Sequence, residues 1–170
     1  LKGFVTAPDG NIYGVARMNA APWTKANGIG MINKKWLENL GLSMPTTIDE
    51  FYAVMKAFKE KDANGNGDPN DEIPMAFAKY NTAGSTTLSD VTGISYLMSA
   101  FGVPMGVEYM DVQDGKVVCV ATEDAYKNGI AFLSKMYAEG LIDIESFTMN
   151  REQLDAKISQ AGHRALAIEA

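Results

Sequence analysis

Apolar residues recur along this chain at two different spacings, and the spacing changes at glycine and proline. Asn33 stands before a short stripe of Trp36, Leu37 and Leu40 that Gly41 ends, which predicts a capped helix. Pro45-Thr46-Thr47-Ile48-Asp49-Glu50 is a helix start in which Thr47 as N-cap and Glu50 three residues later form a capping box. Phe51, Val54, Met55 and Phe58 follow at i, i+3, i+4 and i+7, one apolar face that ends near Glu60-Lys61. Leu88, Val91, Ile94, Leu97, Met98 and Phe101 repeat the helical spacing up to Gly102. Tyr126, Ile130, Leu133 and Tyr137 do so again between a Thr122 cap and Gly140, and Leu154 and Ile158 between an Asn150 cap and Gly162.

Between these stripes lie short strand candidates. Ile73–Phe77 and Ala165–Ile168 are apolar runs, and Met110–Val112 and Val117–Val120 flank the turn Gln113-Asp114-Gly115-Lys116 as a hairpin. Asp9-Gly10 predicts a turn followed by a short strand through Tyr13, and Arg17–Gly30, rich in small residues, reads as an irregular connection. Helices alternating with short strands predict an α/β or α+β class. No repeat, low-complexity tract or internal linker divides the chain, so residues 1–170 read as one domain.

Composition removes several functions. At 170 residues, 46% hydrophobic and 21% charged, the chain is long enough to bury a core. No apolar run approaches the ~18 residues that a membrane span needs. The net charge is −6 and the pI about 4.8, and Lys34-Lys35 is the densest basic pair, so nucleic acid is not an expected partner. Cys119 is the single cysteine, which excludes an internal disulfide, and it reads as a small buried hydrophobe. His163 is the single histidine, so any His-based triad would depend on it. The ten methionines fall mainly on apolar stripes and read as packing.

The candidate chemistry lies in Asp62-Ala63-Asn64-Gly65-Asn66-Gly67-Asp68-Pro69-Asn70-Asp71-Glu72. Oxygen-bearing side chains stand at loop positions one, three and five and glycine at six, which is how an EF-hand begins. Calcium takes six to eight hard oxygens at about 2.3–2.6 Å, and alternate residues of a tightly curled loop aim at one centre. Gly67 permits the turn, and Asp68 at position seven would offer its main-chain oxygen. Position twelve is Ile73 rather than glutamate, so this is a related loop and not an EF-hand. The alternative is an Asn/Gly/Asp-rich surface turn that binds nothing. With hard oxygens only and no nucleophile or base beside it, the loop favours a structural ion over a catalytic one.

Together the motifs resemble a family. Trp36–Leu42, Met44–Phe51, the acidic loop running into Ile73-Pro74, Ala100–Val103, Asp114–Val117 and Met136–Asp143 are similar, in order, to the middle of family 1 extracellular solute-binding lipoproteins of Gram-positive bacteria. The likeness spans Asp9 to Gly162. It implies a type II periplasmic-binding-protein fold of two α/β lobes with ligand between them, of which this chain is one. Segments 13–30 and 165–170 would lie near the inter-lobe crossings. The implied function is extracellular binding of a solute, with oligosaccharide expected, for uptake through an ABC-transporter permease. Full-length members are more than twice this length and carry a signal peptide and a lipid-modified cysteine, so contact with a membrane would run through that anchor. The resemblance also implies calcium on Asp62, Asn64, Asn66, the Asp68 carbonyl, Asp71 and Glu72. The spacer Asp68-Pro69-Asn70 is one residue longer than the common form, which leaves Asn70, Asp71 or Glu72 to close the shell.

Sugar clefts set aromatic faces against pyranose rings and hydrogen-bond the hydroxyls with polar side chains. Trp23, Arg17, Asn19 and Tyr80 are the candidates here, although Trp23 serves equally well as a packing residue. Tyr96 is a weaker candidate, since it lies on a helix where packing would also account for it, and Trp36 lies on an apolar helical face and reads as core. Two further readings remain. One is a carbohydrate-active enzyme, but Asp49-Glu50 is a helix-start device, Asp71-Glu72 belongs to the loop, and no Gly-x-Ser-x-Gly or phosphate loop occurs. The other is a calcium-stabilised cell-surface interaction module.

Overall fold

A computed structural model describes residues 2–14, 29–78, 92–103, 110–159 and 164–169. Along the chain lie α1 (Lys2–Val5), β1 (Ile29–Ile32), α2 (Lys34–Asn39), α3 (Ile48–Glu60), β2 (Ile73–Phe77) and α4 (Thr92–Ser99). They are followed by β3 (Met110–Gln113), β4 (Lys116–Cys119), α5 (Asp124–Ala138), α6 (Arg151–Ser159) and β5 (Arg164–Glu169), with single 3₁₀ turns at Val120–Thr122 and Ile144–Phe147.

The main sheet has the order β1-β5-β2. The last strand in sequence is therefore central, antiparallel to β1 through Met31↔Ala167 and parallel to β2 through Met75↔Leu166. An isolated parallel bridge, Met75↔Ile142, lies on the other edge of β2. β2 is buried on both faces, as a strand flanked by helices must be. Met75 and Phe77 face the large core with Trp36, Val54, Met55, Phe58, Leu97 and Met136. Ala76 and Ala78 face a second cluster with Met149 and with Leu154 of α6. This is the α/β arrangement that the alternation of stripes and runs predicts.

The α3 start is as expected. The Glu50 N–H donates to Thr47 Oγ1 at 3.2 Å, and Glu50 Oε2 accepts from the Thr46 N–H at 2.7 Å and the Thr47 N–H at 3.3 Å. The Thr46 backbone N–H and hydroxyl hold the Glu50 carboxyl below the ordinary carboxylate pKa. A lowered folded-state value means that this contribution is present above the ordinary carboxylate pKa and is lost as pH falls through the folded-state value. Thr47→Ala is expected to destabilise the protein by about 1 kcal/mol in chemical denaturation at neutral pH.

Several local expectations are corrected. Thr122 does not cap α5, because its hydroxyl donates back to the Cys119 carbonyl at 2.8 Å and Glu123 takes the N-cap position without a side-chain bond. Cys119 is half-buried rather than core, since it ends a two-stranded hairpin outside the main sheet. Ile12 forms one antiparallel bridge with Thr6 instead of a strand, and Ile29-Gly30 belong to β1 rather than to the irregular connection. Tyr137 is not core: it is exposed and packs edge-on to Phe147, 5.5 Å between centroids. Leu88, Val91, Gly162 and His163 lie outside the described residues.

Candidate metal loop

The loop is delivered by α3 and leaves as β2, so its two ends are core elements. At the α3 end, Phe58 is fully buried and edge-on to Trp36, 5.4 Å between centroids. Lys61 turns the chain into an extended conformation, and Gly65 and Gly67 then take φ of +77° and +94°. Gly67 is therefore the left-handed turn that the pattern requires.

The loop curls around its own oxygens. Asp62 Oδ1 accepts from the backbone N–H groups of Gly65 (2.7 Å) and Asn66 (3.0 Å), and Oδ2 accepts from Gly67 (2.8 Å). Asn64 Oδ1 accepts from the Asn66 N–H, and Asn66 Oδ1 from the Asp68 N–H, each at 2.8 Å. These are turns in which a short polar side chain closes on backbone ahead of it. Asp71 crosses the ring: its two oxygens accept from the side-chain amides of Asn64 (3.0 Å) and Asn66 (2.7 Å). Asn70 does not join this convergence, since its N–H and side-chain amide both turn to Asp68 Oδ1.

Glu72 is the unusual member. It is 1% exposed, and its Oε1 accepts from the backbone N–H of Ala63 at 2.8 Å and of Asn64 at 3.3 Å. Its Oε2 is buried and has no hydrogen-bond partner among the described residues. A buried carboxylate oxygen without a partner carries a large desolvation cost, and a cation satisfies it without needing a donor. Among the described residues no group of three or more His, Cys, Asp or Glu side chains forms a metal-ligating cluster. Any ion held here would therefore draw on Asn and main-chain oxygens as well as carboxylates, which is a donor set that suits calcium.

One contact had no signal in the sequence. The Asn39 side-chain amide, at the end of α2, donates to the Ala63 carbonyl at 2.9 Å across 24 residues of sequence. No spacing rule links the two positions. The solute-site candidates Arg17, Asn19, Trp23 and Tyr80 lie outside the described residues. Tyr96 borders an open cavity of about 260 Å³ between the start of α3 and α4, lined by Ile32, Met44, Phe51 and Leu97. Among the described residues no helix is long and apolar enough to cross a membrane.

No family model matches the chain. It is 38% identical over 158 residues to the fructooligosaccharide ABC transporter substrate-binding protein FusA of Streptococcus pneumoniae serotype 4, a match spanning 86% of this chain and 27% of FusA. It is 35% identical over 142 residues to the lipoprotein LipO of Bacillus subtilis, spanning 84% of this chain and 26% of LipO. The fold is similar to FusA in complex with kestose, at a TM-score of 0.72 and 34% identity over 99% of this chain and 33% of that one. A FusA EF-hand mutant in complex with fructo-nystose gives 0.74 at 33% identity, again over 99% of this chain and 33% of that one. The HMO-binding, ABC-transporter-associated solute-binding protein of Bifidobacterium longum infantis gives 0.76 at 28% identity over 97% of this chain and 34% of that one.

By sequence and fold together, the chain belongs with the solute-binding proteins of carbohydrate-type ABC transporters. It spans a quarter to a third of the length of these relatives. FusA is an ABC-transporter substrate-binding protein, and the Bifidobacterium protein is a solute-binding protein associated with an ABC transporter.

Proposed function

We propose that this chain is one lobe of an extracellular solute-binding protein that captures an oligosaccharide and delivers it to an ABC-transporter permease, and that the Asp62–Glu72 loop of the lobe holds a structural calcium ion. The observation that carries the transport reading is the 38% identity to FusA over 86% of the chain. The protein would be displayed at the surface of a Gram-positive cell on a lipid anchor, as the lipoprotein LipO suggests. Segments 13–30 and 165–170 would approach the crossings to the second lobe. Trp23, Arg17, Asn19 and Tyr80 are the residues assigned to the solute, with the indole stacking on a ring face and the others bonding hydroxyls.

The calcium reading is supported by an EF-hand in FusA and by the orphaned oxygen of Glu72. Side-chain oxygens of Asp62, Asn64 and Asn66, the Asp68 main-chain oxygen and the carboxylates of Asp71 and Glu72 would hold the ion. The Asn70 side-chain amide donates to Asp68 and makes no hydrogen bond to Asp71 or Glu72, so Asn70 is not assigned to the ion. A bound ion neutralises the loop's acids and ties the end of α3 to the start of β2, which is a role in stability rather than catalysis.

Calorimetric titration of the whole protein with a panel of oligosaccharides tests the transport reading. Binding of at least one is expected, and the 170-residue chain alone is expected to bind it at least about tenfold more weakly, since half of an enclosing cleft is missing. No binding by the whole protein would overturn the transport reading. Equal affinity of the isolated chain would overturn the one-lobe reading.

A further inference from the structure

We infer that Asn39, on α2 and outside the loop, is a positioning residue for the calcium site, because it fixes the peptide that aims the Glu72 carboxylate. The inference rests on the calcium reading above.

The geometry is a relay of three hydrogen bonds through one peptide group and its neighbour. The Asn39 side-chain amide donates to the Ala63 carbonyl at 2.9 Å. That carbonyl belongs to the same peptide as the Asn64 N–H, which donates to Glu72 Oε1 at 3.3 Å. The preceding N–H, that of Ala63, donates to the same oxygen at 2.8 Å. The Ala63–Asn64 peptide plane is thus held at its oxygen by α2 and at its nitrogen by Glu72. A peptide held at one end only is free to rock about its flanking torsions, and the amides on Glu72 Oε1 would rock with it. Because Oε1 is held, the partnerless Oε2 is aimed in one direction. Bonding at a carbonyl also polarises the amide on the same peptide, which strengthens its donation to a carboxylate.

The mount for this relay is rigid. Asn39 ends α2, whose Trp36 and Leu37 are buried in the main core, and Trp36 packs edge-on to Phe58 near the end of α3. Ala63 itself is fully buried. A Cβ built on Gly65 would stand 3.6 Å from the Asn39 amide nitrogen, so the side chain also lies directly under the loop's first turn. Asn39 touches no candidate ligand side chain among the hydrogen bonds seen here and acts only through backbone, as partners behind metal ligands do.

The test compares wild type with Asn39→Leu, which matches the side chain in size and removes the donor, and with Asn39→Gln, which keeps an amide. Calcium affinity is measured by titration on the whole protein, and melting temperature is measured in chelator and in saturating calcium. Asn39→Leu is expected to weaken calcium binding about tenfold, the lower end for residues behind metal ligands, and to shrink the calcium-induced rise in melting temperature. Asn39→Gln is expected to recover part of the affinity. A purely structural role would instead lower both melting temperatures equally and leave the calcium affinity within about twofold of wild type, which would overturn the inference. If Asn39→Leu fails to fold, Asn39→Ala decides on the same criteria. Wild type that binds no calcium would overturn the loop reading itself, an outcome distinct from a wild type and variant that bind equally.

Discussion

In millimolar calcium the protein is expected to melt about 5–10 °C higher than in chelator. An ion at 100 times its dissociation constant stabilises the native state by about 2.7 kcal/mol, and a domain of this size gains roughly 2–4 °C per kcal/mol. Asp62→Ala should remove most of that response. It should also lower the melting temperature in chelator, because Asp62 accepts three backbone amides from Gly65, Asn66 and Gly67 whether or not an ion is present. Glu72→Gln separates the two effects. It removes the buried anion whose Oε2 has no partner while keeping an oxygen for the amides of Ala63 and Asn64. The calcium response should disappear with no loss of melting temperature in chelator. Identical midpoints for wild type with and without calcium would defeat the loop assignment.

Phe58→Ala is expected to cost about 3–5 kcal/mol in chemical denaturation, the range for deleting a buried phenylalanine ring. Phe58 is fully buried, and its ring meets Trp36 edge-on at 5.4 Å. The substitution empties the junction where α2, the last turn of α3 and the start of the loop come together. The melting temperature should fall on the order of 10 °C in chelator and in calcium alike. A loss below about 1 kcal/mol would mean that this junction collapses onto the space left behind, and that the loop's supports are less rigid than the packing shows.

Much of the fold was legible because its signals are local. The Thr47 capping box, the Asn33 cap, the Asp114-Gly115 turn and the α3 stripe each depend on residues within four positions of one another, and each is found as expected. Errors arose where a local signal had a competitor. Thr122 has the chemistry of an N-cap, but the Cys119 carbonyl lies within its reach. Tyr137 has the spacing of a core residue, yet its position four residues past Leu133 carries it to the rim, where Phe147 meets it. The main sheet could not be ordered from the sequence at all, since nothing local says that the final strand enters between β1 and β2.

The metal loop divides along the same line. By itself the sequence determined the oxygen-bearing residues, their alternation and the glycine at the turn, because a loop that folds on itself is governed by neighbours a few residues apart. It left Asn70, Asp71 and Glu72 undivided as closing residues. The tertiary structure gives the three different surroundings: the Asn70 amide donates to Asp68, Asp71 spans the ring to Asn64 and Asn66, and Glu72 is buried with one oxygen held and one unpartnered among the described residues. Burial of that carboxylate is set by the core that β2 enters, and its aim by the Ala63–Asn64 peptide that Asn39 holds from another helix. Both depend on which distant segments pack together, and spacing within the loop does not specify that.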